Sequence, residues 1–333
     1  MLQKENIQKL FDNFSKLTIL IIGDVMLDDY IVGDVNRISP EAPVPIVNIT
    51  ARYARLGGAA NVALNIKLLG AKPILCSVIG NDKKSDLFLD IMNQDGLSDQ
   101  GIIKSSDRIL TTKYRAIGNN MQLLRLDSEI THSLSKNDEQ NFCNTLQSII
   151  DNQHIDAIIF EDYDKGVITP AIINKVISIA KEKSILLSVD PKKRNFLEYN
   201  QIDLFKPNWK ELNEGLQLKN CSWQDASLHN AVRQFMIEKQ HKHLLLTLSG
   251  DGVVIYRFEN EKFDYVHLPA QVRNIADVSG AGDTVISVAT LCLAMKMDME
   301  VIAMISNLAG GLVCEEVGVM AINKEKLLKE AVG

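Results

Sequence analysis

The sequence predicts an α/β protein built on a doubly wound, mostly parallel sheet, with a small inserted β-sheet lid. Three observations predict it. Short apolar runs without polar alternation recur along the chain, as strands buried on both faces require. Amphipathic stretches of helix length separate them, the βαβ rhythm of a wound sheet. Two segments, about 30–50 and 111–127, break that rhythm with alternating patterns that leave no room for a crossover helix.

Taken in order, Ile7, Leu10, Phe11, Phe14 and Leu17 fall at helical spacing and predict a short amphipathic helix. Thr18–Gly23 is the first strand, and similar runs follow at Ile74–Val78, Ala157–Phe160, Ile185–Val189 and Leu244–Leu248. Helices are expected at Asn61–Leu69, Ser85–Asp95, Asn141–Ile150, Pro170–Lys181 and Leu228–Lys239. Between Ser39 and Pro45 stand three of the eight prolines, which cannot be helix and form a stiff loop or edge. A strand pair at Val253–Arg257 and Phe263–Leu268 precedes three helices, Ala281–Met295, Glu300–Glu315 and Lys324–Ala331. With no repeat or obvious linker, residues 1–333 are expected to form one domain carrying the lid.

Composition narrows the function. The 333 residues are 46% hydrophobic and 23% charged, an ordinary globular balance. A formal net charge of −6 speaks against a nucleic-acid or anionic-membrane binder, both of which need a concentrated basic field. Cys76, Cys143, Cys221, Cys292 and Cys314 are widely spaced, with no CxxC, so reduced thiols in a cytoplasmic protein are expected. No signal-peptide pattern opens the chain, and the longest apolar run, Val285–Met295, is well short of the roughly 18 residues that span a bilayer.

The strongest chemical signal is Asp277-Val278-Ser279-Gly280-Ala281-Gly282-Asp283 before an apolar helix. Small residues at 280–282 leave amides uncovered at a helix N-terminus, which favours an anion. A carboxylate beside them, Asp283, suits phosphoryl transfer to an alcohol: it takes the hydroxyl proton while the amides hold charge on the moving group. Simple N-capping is the alternative, but capping would not require the small-residue bend. Gly57-Gly58-Ala59-Ala60-Asn61 lets a ligand approach the backbone, with Asn61 able to donate to and accept from hydroxyls, or it is merely a turn. Gly23-Asp24-Val25-Met26-Leu27-Asp28-Asp29 follows the first strand, where ligands bind in open α/β sheets; any one of these Asp residues could equally be a turn or solvated residue. Asn208 and Glu211 could hold a hydrated Mg²⁺ or form a capping box. Further candidates after strand ends are Glu161–Gly166, Asp190-Pro191-Lys192 and Thr247–Gly252. No dinucleotide fingerprint, P-loop or protein-kinase motif occurs.

Together, Gly57–Asn61 and Asp277–Asp283 resemble the two signatures of the PfkB, or ribokinase-like, carbohydrate kinases, in matching order across essentially the whole chain. The resemblance implies a three-layer α/β sandwich with a β lid. Within that family, Gly23–Asp28, Arg37–Pro45, Gly57–Ala63, Thr111–Lys113 and Gln122–Arg125 are similar to the heptose kinases of ADP-heptose biosynthesis. These use ATP to phosphorylate the anomeric hydroxyl of D-glycero-β-D-manno-heptose 7-phosphate on the route to lipopolysaccharide core. Many such relatives carry a nucleotidyltransferase domain marked by His-x-Gly-His; the motif is absent here, so the kinase half alone is expected.

Carried over, the resemblance implies Asp283 as base and the amides of Gly280, Ala281 and Gly282 as anion hole. Asp28, Gly57, Gly58 and Asn61 would bind sugar hydroxyls. Asn208 and Glu211 would position Mg²⁺ through water, Thr247, Ser249, Gly250 and Gly252 would border the nucleotide, and Asn307 would lie near adenine or ribose. Asp277 could help ligate a monovalent cation such as K⁺. A phosphorylated substrate also needs fixed cations away from the reacting hydroxyl: Arg37, Lys113, Arg115 and Arg125 in the lid are the candidates, while Lys165 and Lys192 would face ATP. Some of these six would be solvated surface charges. The exposed edges of a lid often pair between subunits, so a homodimer is expected. The alternatives are a related kinase of a neutral sugar or nucleoside, and a non-catalytic sugar or nucleotide sensor.

Overall fold

The computed structural model describes residues 4–218 and 221–333. Helix α1 (Lys4–Asn13) buries Ile7, Leu10 and Phe11, the stripe its spacing predicts. β1 (Thr18–Gly23) follows, and after Asp24 alone the chain runs into β2 (Val25–Ile38) and back through β3 (Pro45–Gly58). Helix α2 (Ala59–Leu68) begins directly on Gly58, β4 (Lys72–Gly80) returns to the sheet, and α3 (Lys83–Gln94), capped by Asp82, leads to β5 (Gly101–Ser105). A hairpin of β6 (Thr111–Gly118) and β7 (Met121–Ser128) comes next.

The wound half continues with α4 (Lys136–Asn152), β8 (Ala157–Glu161), α5 (Pro170–Lys183), β9 (Leu186–Asp190) and the two-residue β10 (Leu204–Phe205). Then come α6 (Trp209–Gly215), α7 (Ala226–Lys239), β11 (His243–Thr247), β12 (Val253–Glu259) and β13 (Lys262–Leu268). Three helices close the described chain: α8 (Ala281–Ala294), α9 (Met299–Val313) and α10 (Lys324–Ala331).

Among the described residues, nine strands form the main sheet in the order β13-β12-β11-β10-β9-β8-β1-β4-β5. Pairing is parallel from β11 to β5 and antiparallel only at β12 and β13. One apolar core, with α2, α8 and α9, covers one face; a second, with α4, α5 and α7, covers the other. These are the three layers expected of a doubly wound sheet. A separate four-stranded sheet, β3-β2-β6-β7, is the lid.

The lid is longer than its alternating core suggests. The strands reach from Val25 and back to Gly58 instead of about 30–50, because Met26, Leu27 and Leu56 are buried where the two sheets meet and so lack polar alternation. β5 was not expected: its apolar content is the pair Ile102-Ile103, and it lies on the sheet edge.

Candidate active site

The strand order changes direction at β1, whose neighbours are β4 on one side and β8 on the other. Ligands bind outside the carboxyl ends of strands at such a point. Here those ends form a polar row on the face covered by α8. Gly23 is in register with Glu161, and Glu161 with Asp190; Lys206 comes next, its N–H donating to Val189. Gly23 is required, since a Cβ there would stand 2.1 Å from the Glu161 carbonyl oxygen. Lys206 Nζ pairs with Asp190 Oδ2 at 2.8 Å, both buried. Glu161 is fully buried and neither carboxyl oxygen meets a hydrogen-bond partner among the described residues. Burial, with the Asp190 and Asp283 charges, holds its carboxyl well above the usual carboxylate range.

Over this row stands the N-terminus of α8. Gly280 takes the left-handed conformation (φ 82°) as the residue before the helix, and a Cβ there would meet the Asn61 amide at 3.0 Å. Asp283, in the first turn, is 2% exposed. Its Oδ2 accepts from Asn61 Nδ2 at 2.7 Å and its Oδ1 from the Tyr163 hydroxyl at 2.7 Å. Simple capping is therefore not its role: the carboxylate faces side chains of α2 and of the segment after β8. Burial raises its pKa, and the two donated hydrogen bonds partly offset this. Asp283 is thus an ionisable group pushed towards neutrality, with lone pairs left for a further donor.

The segment that carries Tyr163 is built around Asp24. Its Oδ2 accepts the N–H of Tyr163 at 2.9 Å and of Lys165 at 3.0 Å, and its Oδ1 that of Val167 at 3.0 Å. Asp162 receives Asn195 and Tyr199 at 2.9 Å each. Asp164 and Gly166 turn the chain at positive φ (56° and 91°).

Of the lid's cations, Lys113 approaches this segment. Asp28, in register with Lys113 and Arg55, is buried and paired with Arg115. Gly57 leaves room for it, since a Cβ there would stand 2.4 Å from Asp28 Oδ2. Lys113 makes no ion pair among the described residues; its ammonium lies 5.3 Å from the centre of the Tyr163 ring. Burial lowers its pKa. Arg125 is engaged by Asp127 through two contacts, one at 2.8 Å. Arg37 is exposed at the far end of β2, nine residues beyond Asp28 and about 30 Å along the strand at ordinary rise. It does not join the cluster.

The nucleotide-side candidates divide. Lys192 is held between Glu211, which it contacts, and Asp190 at 3.6 Å. Burial alone would lower its pKa, but these carboxylates raise it above the ordinary value. Asn208 and Glu211 do form the capping box of α6. One Glu211 oxygen accepts the Asn208 N–H and the other contacts Lys192, so a hydrated cation such as Mg²⁺ would meet this element only through its waters. Thr247 is bridged to Asn208, and Gly250 is open on its exposed turn with Ser249. A Cβ on Gly252 would stand 2.1 Å from the Leu268 carbonyl oxygen, so that glycine is structural as well. Asn307 donates to the Pro269 carbonyl at 2.9 Å, and Lys165 pairs with Glu129 at the foot of the lid at 2.9 Å. Both are thus engaged inside the protein. Asp277 accepts the N–H of Ser279 at 2.9 Å and of Gly318 at 3.0 Å.

Glu161, Tyr163, Asp190 and Lys206 belong to the strand-end segments Glu161–Gly166, Asp190–Lys192 and Lys206–Glu211 that the sequence singles out, without an individual role, and Arg55 is not singled out at all. Arg55 donates to the carbonyls of Val317 and Val319 at 2.9 and 3.1 Å, and Tyr30 accepts the Val319 N–H at 3.1 Å. The lid is thereby fastened to the segment that also holds Asp277. Two strand ends after apolar runs were the visible signals for Glu161 and Asp190; nothing local announces Arg55.

A parallel sheet under a small β-sheet lid, with a buried carboxylate at a glycine-lined helix start, suits transfer of a phosphoryl group to a hydroxyl. Comparison with known proteins narrows the class. The pfkB family carbohydrate kinase model matches residues 16–326, and the chain belongs to that family. Kinases of this family use ATP and typically Mg²⁺. Bifunctional protein HldE of Desulfatibacillum aliphaticivorans is 36% identical over 316 residues, covering 94% of this chain and 63% of the relative. Bifunctional protein HldE of Helicobacter pylori is 34% identical over 310 residues, covering 93% and 65%. The chain thus spans less than two thirds of the length of these relatives. Among solved structures, phosphofructokinase-2 from Escherichia coli in complex with potassium superposes with a TM-score of 0.75 at 17% identity, covering 95% of this chain and 99% of the other. Ribokinase from Arabidopsis thaliana complexed with ribose and ATP gives 0.69 at 14% identity, covering 94% and 98%. These two support the fold.

Proposed function

We propose that this chain transfers the terminal phosphoryl group of ATP to the anomeric hydroxyl of D-glycero-β-D-manno-heptose 7-phosphate, giving the 1,7-bisphosphate used for ADP-heptose and lipopolysaccharide core. Asp283 takes the hydroxyl proton as the oxygen–phosphorus bond forms and ADP leaves. The amides of Gly280, Ala281 and Gly282 hold the charge on the moving group. Asp28, Asn61 and the backbone at Gly57 and Gly58 hold the sugar hydroxyls. Lys192 faces the ATP phosphates, and Asn208 and Glu211 hold Mg²⁺ through water; the ion neutralises charge between the phosphates.

The observation that carries the choice of substrate is Lys113, a partly buried lid ammonium that makes no ion pair among the described residues. A neutral sugar gives such a cation nothing to bind, whereas a second phosphate does. The HldE likeness supports the same choice. ATP consumption across heptose 7-phosphate, ribose, fructose and adenosine tests it. Turnover dominated by the heptose phosphate is expected, and indifference to it would move the assignment to a neutral sugar or nucleoside.

The reading extends to three accompanying features. A monovalent cation sits beside Asp277, tested by replacing K⁺ with a larger organic cation. Two copies pair through the lid, whose Ile38, Val44, Ile49, Leu124 and Leu126 are exposed; sedimentation measures the state. The reaction runs in the cytoplasm, where the five free thiols stay reduced. Among the described residues no helix is long and apolar enough to cross a membrane.

A further inference from the structure

We propose that Tyr163 is the residue that positions Asp283 for proton abstraction, through the hydrogen bond from its hydroxyl to Oδ1. The proposal rests on the reading of Asp283 as base.

Three observations carry it. The contact is short, 2.7 Å, and it is directed at the oxygen that Asn61 leaves free. The Tyr163 backbone is fixed independently of that contact, because Asp24 accepts its N–H and those of Lys165 and Val167. The ring lies between two ammonium groups, Lys113 of the lid at 5.3 Å and Lys192 of the nucleotide side at 5.2 Å. Such contacts hold an aromatic plane in place without using its hydroxyl. Each Asp283 oxygen thus receives one fixed donor, and the carboxylate cannot rotate without breaking one of them. Each oxygen keeps lone-pair capacity for one further donor, which the proposed acceptor hydroxyl supplies.

The arrangement also sets when the base is charged. The groups around Asp283 are Asn61 from α2, Glu161 and Tyr163 at and after β8, Asp190 at the end of β9, Lys206 after β10 and Lys113 from the lid. Burial raises the Asp283 pKa; Asn61, Tyr163 and Lys206 lower it, and Asp190 raises it further. The phenol itself is pushed well above its ordinary value by burial and by Asp283, so it remains an O–H donor. A donor to the charged form favours that form. Removing the hydroxyl therefore makes Asp283 harder to ionise.

Tyr163→Phe tests this, because it deletes one oxygen and keeps the ring between the two lysines. The acid limb of the pH profile of kcat is expected to move up by about one pH unit, with kcat at neutral pH down about tenfold and the KM for ATP little changed. In the ligand-free protein, the ¹³C resonance of the Asp283 carboxyl should titrate at higher pH in the variant, a readout that needs no turnover. An unmoved titration and acid limb overturn the proposal, even if kcat falls; so does an effect confined to KM. Asp283→Asn, assayed in parallel, separates the two levels. If that variant keeps full turnover, the base reading itself fails. If it is inactive while Tyr163→Phe is unchanged, only the role of Tyr163 fails.

Discussion

In the proposed reaction Asp283 carries the chemistry, and its two oxygens are held by Asn61 and by Tyr163. Replacing it with Asn keeps the shape and removes the basic oxygen. Phosphoryl transfer is expected to fall by about a thousandfold while ATP still binds, a pairing that steady-state kinetics and calorimetry check. In that role the same group should make the wild-type enzyme fail in acid. A base must be ionised, burial has raised its pKa, and kcat should therefore drop as the pH falls through that raised value. Lys113 belongs to the same scale. Lys113→Met should raise the KM for a sugar phosphate by about tenfold or more and leave that for ATP nearly unchanged; equal losses for a neutral sugar would remove Lys113 from phosphate binding. Asp283 and its glycine-lined approach were legible because three small residues before an apolar helix have a chemical reason to be there. Tyr163 was legible only as a member of the segment Glu161–Gly166 and Arg55 not at all, since each acts on residues more than a hundred positions away.

At the scale of elements, β2 and β3 are long because they do two jobs. Their inner ends pack into the core, and their outer ends make the lid. Gly57 sits where these jobs meet. Gly57→Ala would set a methyl 2.4 Å from Asp28 Oδ2 and 2.8 Å from Met26 Cγ, so the Asp28–Arg115 pair must shift. A folded protein with a raised sugar KM is expected, and an unchanged KM would show that Asp28 has slack. The segment after β8 depends on Asp24 in the same manner. Asp24→Ala leaves three backbone N–H groups without their acceptor, which costs about 3 kcal/mol or more and should appear as a lowered Tm. Period and length gave away most strands and helices, with ends within a few residues. β10 escaped because two residues have no period, and its place is fixed by β9 and β11 on either side.

For the molecule as a whole, the order of apolar runs was enough to announce a wound sheet, since each buried strand must be followed by a helix that covers it. The two-sided core that results also shelters groups that water would charge. His241 is 1% exposed and stacks on Phe205 with ring centres 4.8 Å apart; burial, with Lys239 nearby, lowers its pKa from 6.5 to about 3. The unfolded chain accepts that proton below about pH 6.5 and the folded chain does not. Its contribution is thus complete above the ordinary value and is lost as the pH falls towards the lowered one. Between about pH 6.5 and about pH 4.5, the Tm of the wild type should fall more steeply than that of His241→Phe; parallel curves would mean that the imidazole titrates freely. The joints of the lid have a wider consequence. Asp24 alone separates β1 from β2, and Gly58 hands β3 directly to the helix bearing Asn61. A cover mounted without slack cannot swing by itself: whatever draws it down also tugs the groups that steady the carboxylate.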